Sequence, residues 1–210
     1  MASPALEAFA LGDALGVPWI GAAPRTITRR RLLDDVGPTG EATRIARAAD
    51  AAWGSVSPGG ELFTTRRHGS PDALALPVAF VIGLREADAG ARRAAALPLG
   101  TGAVVVADLT AWAVEGRAFY QYLTDHANKW GPPFHGVALD QRSIVDSLLA
   151  TLARHDEASE GMLSSVRLGG DGVAVLTALV GGILAAKRPT AVARIPWSGR
   201  LQRPDGELEA

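Results

Sequence analysis

The chain has 210 residues, with 21 basic and 22 acidic side chains and a net charge of −1. That length is enough for one domain burying roughly 70 % of its unfolded surface, and the even charge balance offers no global field to draw nucleic acid or an anionic membrane. With no cysteine in the chain, disulfides, thiolate metal sites and a cysteine nucleophile are excluded.

Taken in order, the opening residues MASPALEAFALGDALG carry no basic segment ahead of an apolar core and include acids. No secretory signal is expected from them, and a cytoplasmic address is. Leu6 to Leu15 reads as a first helix closed by Gly16 and Pro18. Pro24 to Val36 is a basic, irregular connection, and its cluster Arg25 to Arg31, like Arg66 to His68, reads as solvated loop rather than a phosphate surface. Thr39 or its neighbours open a helix to about Trp53, with Ile45, Ala48, Ala49 and Ala52 on one face. Ser57 to Phe63 is loop.

Pro71 or Asp72 begins a helix through Val78, Ile82 and Leu84, and Ala89 to Ala96 forms another. Val104 to Val114 has the three consecutive valines of a strand, but its continuation through Leu109, Trp112 and Ala113 favours a helix. Ala118 to Lys129 is helical and ends at Gly131-Pro132-Pro133. Ser143 is placed as the N-cap of a helix from Ile144 to Ala153. The apolar stretch Gly172 to Ala186 is shorter than the roughly 20 residues a membrane span needs and is interrupted by Gly181 and Gly182, so it reads as a buried core helix. It begins near Asp171 and ends before Pro189. An all-α fold follows, as a single domain over 1–199 with a polar tail at 200–210.

Three segments of this chain carry motifs. Gly12-Asp13-Ala14-Leu15-Gly16-Val17-Pro18 closes the first helix, Gly40-Glu41-Ala42-Thr43 opens a later one, and Gly169-Gly170-Asp171 precedes the apolar helix. In this order they resemble the GDALGxP, TDDT and GGDxDT motifs of the ADP-ribosylglycohydrolase family, which also includes dinitrogenase-reductase-activating and crystallin-like members. Pro77 and Ile144 to Arg154 resemble intermediate segments, so the resemblance runs from Leu11 to Lys187. It implies a compact all-α bundle. In the family, TDDT and GGDxDT hold two Mg²⁺ ions that grip a ribose, and a glutamate after the first motif serves in hydrolysis.

The residues here depart from that pattern. The glutamate position falls on Ile20 or its neighbour Trp19. At TDDT one register gives Gly40, Glu41, Ala42 and Thr43, and another matches Thr39, Glu41 and Ala42; each loses a carboxylate. At GGDxDT, Asp171 stays while Val173 and Ala174 replace the second aspartate and the threonine. The family's asparagine and arginine ahead of Pro77 have no counterpart among Gly69, Ser70, Ala73 and Leu74, and its threonine-histidine pair falls on Pro98 and Leu99. Losing several hard oxygen ligands removes most of what magnesium binds, so neither Mg²⁺ nor any other cofactor is expected.

The expected function is therefore a cleft made more apolar by Trp19, Ile20, Val173 and Ala174, which binds or transforms a small molecule less polar than ADP-ribose, for instance in specialised metabolism. Glu41, Asp171 and Asp13 are the candidate acid-base carboxylates. Each has a plainer reading. Asp13 can hydrogen-bond the last turn of the first helix, Glu41 can sit in a favourable helix-dipole position, and Asp171 can be an N-cap. Trp19, Ile20, Thr43, Val173, His126 and Trp130 are the candidate ligand contacts, the last two because they border the loop Asn128 to Phe134. A non-catalytic binding or regulatory protein and a residual ADP-ribosyl hydrolase are the alternatives. No nucleic-acid or membrane partner is expected.

Overall fold

The computed structural model describes residues 3–22, 36–53, 73–119, 122 and 136–189. Among them the elements are α1 (Pro4–Gly16) with a 3-10 turn at Val17–Trp19, α2 (Glu41–Ala52), a 3-10 turn at Ala73–Ala75 leading into α3 (Leu76–Arg85), α4 (Ala89–Ala96), α5 (Thr101–Val114), α6 (Gln141–Leu152), α7 (Ala158–Val166) and α8 (Val173–Lys187). No strand forms among the described residues. The protein is all-α there, as the helical spacing of its apolar residues predicts.

Two helices are apolar on every face and occupy the centre. In α8 every residue from Val173 to Ala185 is buried, and in α1 Glu7 is the one exposed residue between Ala5 and Gly16. A helix without a polar face has to be surrounded by other elements. The two run antiparallel, and glycines set their separation. A Cβ on Gly12 would lie 2.4 Å from the Thr177 carbonyl oxygen, one on Gly16 would lie 2.6 Å from the Ala174 Cα, and one on Gly181 would lie 2.6 Å from the Ala8 carbonyl oxygen. Backbone therefore meets backbone along the whole pair.

Most of the other helices pack around this pair, and α4 lies outside them against α3 and α5. Phe9 of α1 stacks on Phe80 of α3 with ring centroids 4.8 Å apart, and Gly83 of α3 lies against the Ala107 carbonyl of α5. Between α4 and α5 the buried Arg92 donates from Nε to Asp108 Oδ1 at 3.1 Å and from a terminal nitrogen to the Glu86 and Ala87 carbonyls, so its charge enters the interior with its donors engaged.

The segment Val104 to Val114 is helical within α5. Its Val105 and Val106 are buried on several sides, which suits an interior helix as well as a strand, so packing overrode β propensity. Ser143 is not an N-cap. Asp140 caps α6 by accepting from Ser143 N at 2.9 Å, while Ser143 Oγ accepts from Ala138 N. The helix accordingly starts two residues before Ser143. The sequence predicts no helix at α7, whose Ser159, Gly161, Ser164 and Ser165 are poor helix formers. Tertiary contact explains it, since a Cβ on Gly161 would lie 2.7 Å from Leu184 Cδ1 and 2.8 Å from Val180 Cγ1. Of the expected helix at Ala118 to Lys129, Phe119 and Tyr122 are helical and most of the remainder lies outside the described residues, as do Pro71 and Asp72.

Candidate functional site

The three motif segments come together at one end of the bundle. The antiparallel pairing of α1 with α8 brings the end of the first helix, near Gly16, onto the start of the last, at Ala174. The start of α2 then joins them, because Gly37 N donates to the Ala14 carbonyl at 2.9 Å and Gly40 abuts Val17 and Asp13.

Asp13 is the centre of this junction. Its side chain is buried, and its Oδ2 accepts from Gly40 N at 2.8 Å, Thr43 N at 2.9 Å and Thr43 Oγ1 at 2.6 Å. The physical reason lies in α2. Its N-cap is Gly40, which has no side chain to satisfy the free N–H groups of the first turn. A capping side chain at position 40 would meet Val17 Cγ2, since even a Cβ there would be 2.7 Å away. Asp13 supplies the missing acceptor from another helix. Among the described residues its Oδ1 has no hydrogen-bond partner. Burial pushes the Asp13 carboxyl above its ordinary value; the bonds from Thr43 and Gly40 pull it down by less, and nearby Glu41 adds to the rise. The contact expected of Asp13, with the last turn of its own helix, is thus replaced by a contact with the first turn of α2.

Glu41 occupies the first turn of α2 and is exposed. It accepts from Arg44 Nε at 2.8 Å and pairs with a terminal nitrogen of the same guanidinium, which holds its carboxyl below the ordinary value. Thr43, buried, spends its hydroxyl on Asp13.

At α8 the entry is made by two glycines. Gly169 and Gly170 have φ of 65° and 96°, in the range where a side chain is strained, and a Cβ on Gly170 would also stand 2.4 Å from Val137 N. The loop at Gly136 to Ala138 runs alongside, with Val137 N donating to the Gly169 carbonyl and Gly172 N to the Val137 carbonyl, both at 2.8 Å. The N-cap is Gly172, not Asp171, and it makes no side-chain bond. Asp171 lies outside the helix and is exposed, with no hydrogen bond or ion pair among the described residues. The turn after α1 passes close to it. A Cβ on Gly21 would be 3.5 Å from Asp171 Oδ1, and Gly170 N donates to the Ala22 carbonyl at 3.3 Å.

The remaining candidates separate by burial. Val173 is fully buried and Trp19 belongs to the hydrophobic core, whereas Ile20 is 51 % exposed and Leu139, on the loop across α8, is 50 % exposed. Leu139 follows Ala138, whose carbonyl abuts Gly172, a proximity of which sequence spacing carries no sign. His126 and Trp130 lie outside the described residues. Among the described residues no three of His, Asp and Glu gather to hold a metal ion. No protein-family model matches the chain, and no curated protein matches it either.

Proposed function

We propose that this chain is a divergent protein of the ADP-ribosylglycohydrolase kind that has lost two-magnesium hydrolysis, and that its motif-bearing end binds a small molecule less polar than ADP-ribose. The observation that carries the reading is the convergence of the three motif segments on one end of the bundle, around a carboxylate, Asp13, whose Oδ2 accepts from two backbone N–H groups and the Thr43 hydroxyl. The residues present do not fit a pair of magnesium ions. Asp13 already accepts three hydrogen bonds on Oδ2, Glu41 is paired with Arg44, and Val173 and Ala174 offer no side-chain oxygen at the start of α8. Ile20 and Leu139, exposed on the two loops that hydrogen-bond the residues ahead of α8, suit an apolar ligand, with Asp171, exposed close to Gly21, as a polar anchor.

Asp171 is the carboxylate best placed for acid-base work in this reading, since it is exposed and makes no hydrogen bond or ion pair among the described residues. The engagement of Asp13 and Glu41 favours a second reading, in which the protein binds its ligand without transforming it. Calorimetry with ADP-ribose and Mg²⁺ tests the shared part of both: no heat of binding is expected, and micromolar affinity overturns the loss of the metal site. For any ligand found to bind, turnover separates the two, and unchanged turnover in Asp171→Asn would remove Asp171 from the chemistry.

A further inference from the structure

We draw no further inference here: the strongest candidate, the apolar cleft of 220 Å³ lined by Pro4, Leu84, Val114 and Ala186 at the end of the bundle opposite the motif segments, carries nothing because no observation in the structure shows what covers it.

Discussion

The first helix has two kinds of contact with its neighbours, and they depend on opposite things. Against α8 it presents Gly12 and Gly16, and the fit comes from side chains that are absent. Against α2 it presents Asp13, and the fit comes from one carboxylate that takes three donors. The first contact tolerates nothing larger than hydrogen. The second tolerates any side chain that keeps an acceptor in place. Neighbouring residues in one short segment therefore answer to different physics.

Substitution at the glycine seam is expected to have the largest effect. In Gly12→Ala the new methyl collides with the Thr177 carbonyl, so two packed backbones must separate. That overpacking costs about 3 kcal/mol, against about 1 kcal/mol returned by the better helix propensity of alanine. A net loss of stability in urea unfolding is expected, and an unchanged or raised midpoint would show that the helices are not in contact at that point.

Asp13→Ala comes next. It leaves the Thr43 hydroxyl and backbone donors of the first turn of α2 without their acceptor, a loss of about 2 kcal/mol. Asp13→Asn keeps an acceptor and is expected to lose less than half as much. Hydrogen exchange localises the effect: faster exchange is expected at the start of α2 and not along α8, and equal acceleration in both would merge the two contacts into one.

The same pair of proteins gives a pH dependence. Asp13 titrates above 3.8 in the folded chain because burial disfavours its charge. The folded state thus holds the proton more tightly than the unfolded state does. The stability this contributes is complete below the unfolded value and is lost as pH rises through the folded value. Stability of the native protein relative to Asp13→Asn is expected to fall with rising pH in that window. A rise would mean that the three hydrogen bonds outweigh burial. Glu41 has the opposite sign, with its contribution present above its unfolded value and lost as pH falls through the folded one; because it is present in both proteins, only its coupling to the Asp13 charge enters the difference.

The smallest effect belongs to Glu41→Gln. An exposed pair on one helix face is worth about 0.3 kcal/mol, so the unfolding midpoint is expected to move within error. A loss of several times that size would place Glu41 in a tighter network than its pairing with Arg44 describes.

Much of the helical architecture was legible. The apolar run that becomes α8 could only be a surrounded helix, and the positions of α1, α2 and α4 followed from spacing and from glycine and proline. What failed was local chemistry with a tertiary cause. Ser143 is a good cap in isolation, yet Asp140 holds that role and Ser143 turns its hydroxyl to Ala138. The helix α7 has weak propensity and exists because Gly161 lets it lie against α8. Of the candidate site, Asp13, Glu41, Thr43 and Asp171 could be named from sequence. Their division of labour could not. One available sign was Gly40 itself, because a helix that starts on glycine leaves its first-turn N–H groups to water or to an acceptor from another segment.

By itself, then, the sequence determined that the chain is helical and that its last described helix lies in the core. These follow from hydrophobic periodicity, which is local. Only the tertiary structure decided that Asp13 serves α2 rather than its own helix, that Val173 and Trp19 are buried while Ile20 and Leu139 are exposed, and that Asp171 stands apart from the carboxylates already engaged. The reason is that burial and hydrogen-bond partnership depend on which segments meet, and here the packing of α1 against α8 brings together residues more than a hundred positions apart.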